Sequence, residues 1–308
     1  MNQLQFRFLP GLAVLAALLL LRLTASYADE SASEPAGLPP QATGADIVFS
    51  AGRQGGGYWG VAERLRKVAA ESGLAIAVRE SVGSVENLNR LSDPEDPVNL
   101  TLTQSDALKR FLQEHPGLAN KIEILESIGL ECVFIVASAD SGIENDQDLQ
   151  SEKGYRLGIP SEVSGVAVTF DYMTKLVPGL ANTSPVYGDT MEAMRNFGQP
   201  DAPDAVMLVH RPKLQSPELQ MALDAPERYK LIPVEDRHLA DKLPSGEAVY
   251  DFLDIPLIRA GLATDRSLPT VCTKGTLIAS KRKMTPGTKE QLSKIIDFQW
   301  MRIYPTAP

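Results

Sequence analysis

Ile47-Val48-Phe49-Ser50-Ala51-Gly52-Arg53-Gln54-Gly55-Gly56-Gly57-Tyr58-Trp59-Gly60, then Gly83-Ser84-Val85-Glu86-Asn87-Leu88, then Thr103-Gln104-Ser105-Asp106-Ala107, is the stretch that decides the fold. Three times a short apolar strand runs into small or polar residues and a helical pattern follows. The strands are Ile47–Phe49, Ala75–Val78 and Val98–Leu102. The helices carry apolar residues at Val61, Leu65, Val68 and Ala69, at Val85, Leu88 and Leu91, and over Ser105–Glu114. Gly73, Asp93-Pro94 and Pro116-Gly117 end them. Successive strand-turn-helix units predict a parallel, doubly wound sheet. They bring three turns to the same end of neighbouring strands, with free N–H groups at helix N-termini where a carboxylate or phosphate can sit.

The pattern restarts after an apolar, β-rich run from Ile122 to Ala137. Strands are expected at Arg156–Ile159, Ser184–Tyr187, Ala205–Val209 and Leu231–Val234, with helices at Gly165–Leu176 and Thr190–Phe197. Tyr250–Ile258 and Leu268–Ile278 come next, and the chain ends on a helix over Lys289–Trp300. The expected class is therefore α/β: two α/β lobes, a ligand cleft between them, and two crossover strands near 130–138 and 270–280. The divisions are a signal peptide over 1–28, a flexible leader over 29–44, a first lobe of 45–135 plus 275–308, and a second of 136–274. Ligands of such folds bind at the carboxyl ends of the strands.

The amino end has the marks of an export signal. Arg7 precedes an apolar run to Leu21, and Ser26-Tyr27-Ala28 supplies small residues at the cleavage positions. The run is short against the roughly 20 residues of a membrane span. An uncleaved anchor, with Arg22 late in the segment, is the alternative. Residues 29–44 are rich in Ser, Pro, Gly and Ala without periodicity, as a flexible leader is. The formal charge is −9, and −11 once Arg7 and Arg22 are removed. That balance argues against nucleic acid, whose binding relies on Lys and Arg. It leaves room for a small anion held by local N–H groups or one arginine.

Neither the two cysteines nor the three histidines have the spacing of a metal site, and no cofactor is implied. Cys132 and Cys272 fall on the two crossing stretches. If those run side by side an exported protein can pair them; otherwise they are two buried thiols. Gly55-Gly56-Gly57 lacks the offsets of a dinucleotide turn, and no Gly-Lys-Ser/Thr follows it. Ser161, Ser164 and Ser216 lack a nucleophile elbow. His210 at a strand end is a candidate ligand contact or a hydrogen-bonded structural histidine. No catalytic set stands out, so the chain reads as a binder and not an enzyme. Ser84 is expected to cap its helix while the N–H groups of Val85 and Glu86 face an anion. Ser105 or Asp106 caps the next, and Gln104 faces the cleft.

With these residues in place the chain resembles the TAXI-type solute-binding proteins of tripartite ATP-independent periplasmic (TRAP) transporters. The resemblance rests on Gly55–Gly60, Gly83–Leu88, Gln104–Ala107 and, more loosely, Gly158-Ile159-Pro160 with Ser164-Gly165. It spans most of residues 45–280. It implies a periplasmic receptor that closes on a small anionic solute, such as glutamate, a dicarboxylate or a keto acid. The partner would be a TRAP-type membrane permease. Ligand contacts expected from motif and resemblance together are Gly56, Gly57, Tyr58, Ser84, Val85, Asn87, Gln104, Ser161, Ser164, Gly165 and His210. The chain departs from the family at Gly57, where a hydroxyl residue is usual. It departs again at Glu162-Val163-Ser164-Gly165, where a glycine-serine-glycine turn is usual. Glu162 puts a negative charge near the expected anion. A sensor or scaffold on the same fold is the alternative function.

Overall fold

The computed structural model describes residues 44–213, 216–259 and 262–304. The signal and all of the leader except Gly44 lie outside them. Strand β1 (Ile47–Ser50) has parallel neighbours on both sides, β2 (Ile76–Arg79) and β3 (Leu100–Gln104). Between them run helices α1 (Gly57–Glu71) and α2 (Ser84–Ser92), and α3 (Ser105–Glu114) follows β3 without a gap. The first three strands are thus parallel as the sequence predicts. Gly73, at φ +74°, closes the turn after α1 in the left-handed conformation that favours glycine.

The remainder of the sheet is mixed rather than wholly parallel. The long strands β4 (Ile122–Ser138) and β10 (Leu262–Ser280) run antiparallel to one another, and β10 lies antiparallel to β3. Beyond Cys132, β4 changes partners to β7 (Ala205–His210) on one side and β8 (Tyr229–Ile232) on the other. From Thr273 towards its start, β10 pairs with β9 (Tyr250–Arg259). Strands β5 (Arg156–Ile159) and β6 (Ser184–Tyr187) complete a second parallel group with β7. The helices of that group are α4 (Gly165–Leu176), α5 (Thr190–Arg195) and α6 (Pro217–Asp224). The sequence reading missed α6, a short helix entered through the Ser216-Pro217 cap. It also placed the β8 strand two residues late, because Pro233 cannot donate to the ladder.

This is the α/β, periplasmic-binding-protein-like class: two α/β halves joined through two long crossing strands. Helices cover both faces of the first strands. Val61 and Leu65 of α1 pack with Leu292, Ile295 and Ile296 of the last helix, α7 (Pro286–Ile303), while Leu88 of α2 and Leu108 and Phe111 of α3 join the opposite core. Each fully buried leucine such as Leu65 contributes about 2 kcal/mol.

Cys132 faces Cys272 across β4 and β10, their Cα atoms 3.8 Å apart, and the two form a disulfide. Of the two states left open by the sequence, the structure takes the bridged one. The bond sits where each long strand exchanges one set of partners for another.

Candidate functional site

The three turns of the opening stretch do converge, but most of their polar side chains are spent on one another. Asn87 is fully buried; its Nδ2 donates to the Leu102 carbonyl at 2.8 Å and its Oδ1 accepts from Ser50 Oγ at 2.7 Å. Ser84 does not cap α2. The cap residue is Gly83, held at φ +145°, and Ser84 Oγ instead accepts the Gln104 N–H at 3.1 Å. Glu86 reaches back to the Val82 N–H at 2.7 Å and pairs with Arg90, the capping-box arrangement one residue displaced. Likewise α3 has Gln104 at its cap position, while Ser105 Oγ donates to the Val249 carbonyl at 2.7 Å.

Asp106 anchors a second buried network. Its carboxylate accepts from Thr169 Oγ1 at 2.7 Å, Tyr250 Oη at 3.0 Å and the Ala107 N–H at 2.7 Å. Burial pushes its carboxyl upward against these donors, which pull it down. The network ties α3 to α4 and β9. Gln104 is buried and presses on the start of α4: a Cβ on Gly165 would lie 2.5 Å from Gln104 Oε1. Gly165 is therefore a point where α4 packs tightly against the end of β3. Ser164 caps α4 through the Ala167 N–H at 3.2 Å and donates to the Ser161 carbonyl at 2.6 Å.

Two hollows flank this contact. One, of about 430 Å³, is lined by Val85, Glu86, Arg110, Glu114, Glu162 and Asp171 among others. Four carboxylates against a single arginine, itself paired with Glu114 and Asp171, make it a poor place for an anion.

The other, of about 260 Å³, is lined by Gly57, Tyr58, Glu131, Arg211, Trp300 and Tyr304 among others. Gly57 opens α1, so the pocket meets that helix's N-terminal N–H groups. Gly55 at φ +80° makes the turn before it, and Gly56 is the extended cap residue, its carbonyl taken by the Gly60 N–H. Tyr58 Oη donates to Glu131 Oε2 at 3.4 Å, and the Glu131 carboxyl is raised to about 7 by burial and then by the charge of Asp106. Gly275 forms part of the wall, where a Cβ would lie 2.8 Å from Ile128 and 3.6 Å from the Tyr58 ring.

Of the expected contacts, then, Gly57 and Tyr58 line this pocket and Val85 lines the acidic groove. Gly56, Ser84, Asn87, Gln104, Ser161, Ser164 and Gly165 line neither. His210 is exposed at the end of β7, opposite Cys132, and it is its neighbour Arg211 that enters the pocket wall. Glu131, Arg211, Trp300 and Tyr304 escaped the sequence reading. One signal existed: Glu131 is a charge inside a β-rich apolar run, just past Gly129.

No family model matches the chain, and no curated protein matches it. Solved structures do. MatC from Rhodopseudomonas palustris, with bound malate, is 12% identical over 82% of this chain and 83% of its own, with a TM-score of 0.47. The GluR0 ligand-binding core from Nostoc punctiforme, in complex with L-glutamate, is 12% identical over 83% and 95%, at 0.45. A structure described as a periplasmic transporter is 11% identical over 82% and 81%, at 0.47. At this level of similarity the likeness assigns no ligand.

Proposed function

We propose that this chain is an extracytoplasmic solute receptor that binds a small carboxylate-bearing molecule and delivers it to a TRAP-type membrane permease. The observation that carries the reading is the pocket at the start of α1, where helix N–H groups, Tyr58 and Arg211 meet beside the crossing strands. Two further features support it. The Cys132–Cys272 bridge belongs to an oxidising compartment such as the periplasm. The lobes are 45–135 plus 275–308 and 136–274, and flexing of β4 and β10 is the motion that opens the cleft. No enzymatic step is proposed.

Thermal-shift screening of the mature protein with amino acids, dicarboxylates and keto acids tests this. A stabilising ligand is expected, by about 2.7 kcal/mol at one hundred times Kd. A blank across all three classes refutes the receptor reading. A second reading is a sensor or scaffold without transport, favoured by Gln104 filling the space over Gly165 where a second-lobe contact was expected. Uptake of the stabilising ligand by vesicles carrying the permease, with and without this protein, separates the two.

A further inference from the structure

The pocket at the start of α1 has two electrical poles and an apolar floor. At one end the Glu131 carboxylate accepts from the Tyr58 hydroxyl at a long 3.4 Å and has the Gln104 amide as a second donor, and among the described residues no cation pairs with it within 4.0 Å. At the other end is Arg211, near enough for its charge to act on both Glu131 and Arg64. Beside them stands the Tyr304 hydroxyl. Its side chain is only 5% exposed, yet among the described residues the hydroxyl has no hydrogen-bond partner. Tyr304 Oη is thus a buried donor without a partner on a residue of the cavity wall, with the Glu126 carboxylate and the Arg64 guanidinium near enough to act on it. Val61, Ile128, Leu130 and Trp300 supply the apolar surface between.

Each of these features is costly in an empty site. A half-buried carboxylate without a cation and a buried hydroxyl without a partner both destabilise the empty site. A ligand that answers both must carry a positive and a negative group close together. Resting on the receptor reading above, we infer that the ligand is a zwitterionic amino acid with an apolar side chain. Its ammonium sits on Glu131 and Tyr58, its carboxylate on Arg211 and the Tyr304 hydroxyl, and its side chain on Val61, Ile128 and Trp300. A second carboxylate would lie either against the Glu131 charge, with Asp106 behind it, or on the apolar Val61, Ile128 and Trp300 surface, so dicarboxylates and acidic amino acids are disfavoured.

The test is a titration of the full mature chain with leucine, its keto acid 4-methyl-2-oxopentanoate, its decarboxylated amine, glutamate and succinate. Leucine is expected to bind at least about tenfold more tightly than each of the others, since each loses or misplaces one charge-assisted pair. Glu131→Gln should erase the preference for leucine over the keto acid. Tyr304→Phe should weaken both, by about three- to tenfold, without changing their ratio. If Glu131→Gln does not fold, the five-compound panel on the unaltered protein decides by itself. Keto acid, succinate or glutamate binding as tightly as leucine overturns this inference and leaves the receptor reading standing. No binding by any of the five, nor by any compound of the wider screen, overturns both.

Discussion

Asp106 is a fully buried carboxylate and Glu131 a half-buried one; both hold their protons more tightly than usual, and the charge of Asp106 acts on Glu131. Their surroundings differ. Asp106 has two hydroxyls and a backbone N–H within 3.0 Å, contributed by α3, α4 and β9. Glu131 has only the Tyr58 hydroxyl at 3.4 Å and the Gln104 amide as donors, and opens onto a cavity. A satisfied buried charge joins elements; an unsatisfied one awaits a partner. The first is a fastening between the two halves of the chain. The second is a binding group.

The Cys132–Cys272 bridge lies between these two regions, next to Glu131 on one strand and Thr273 on the other, and closes 140 residues of chain. Reduction, or replacement of both cysteines by alanine, should cost about 4 kcal/mol by denaturant unfolding. Loss of less than about 1 kcal/mol would mean that the crossing strands hold their register unaided. Asp106→Ala is expected next, at about 3 kcal/mol, because it strands the Thr169 and Tyr250 hydroxyls inside the protein. A neutral result there would break the distinction between fastening and binding group.

Glu131→Gln should act in the other direction, raising stability of the ligand-free protein by about 1–2 kcal/mol at pH 8. The sign follows from its raised carboxyl. The folded protein keeps a proton there that the unfolded chain has released above pH 4.5, so stability falls as pH rises from 4.5 to about 7 and the contribution is gone above that. Asp106, also raised, pushes the same way, so comparing melting curves of the variant and the unaltered protein across pH isolates the Glu131 share. Curves of identical slope would show that Glu131 is not strained when the pocket is empty. The smallest effect expected is that of Gly165→Ala, about 1 kcal/mol, as the Gln104 amide must shift from its place 2.5 Å from the new Cβ.

The fold was legible because its signals are local. Helices α3 and α4 match the spacing of their apolar residues from end to end, and the turn after α1 needs the glycine that stands at position 73. The mixed direction of the sheet was not legible. Nothing in Leu268–Ile278 says whether it enters beside β3 parallel or antiparallel; that depends on β4, more than a hundred residues earlier. The site was legible in part. Gly57 and Tyr58 stand out because a glycine turn opens a helix. Ser84, Asn87 and Gln104 look equally available in sequence, since a polar side chain at a helix start serves ligand and neighbouring backbone alike. Only the partners at Leu102, Ser50 and Gly165 show where they are used.

By itself, then, the sequence determined the α/β class, the order of the strand-turn-helix units and the candidate export signal. Those rest on periodicity, breakers and hydropathy, which act over a few residues. The tertiary structure alone decided that Cys132 meets Cys272, that Asp106 is enclosed while Glu131 is left open, and that Arg211 and Tyr304 face the same cavity as Tyr58. Each of those is a meeting of residues far apart in the chain. Long-range packing sets which polar groups are satisfied, and so which one remains for a ligand.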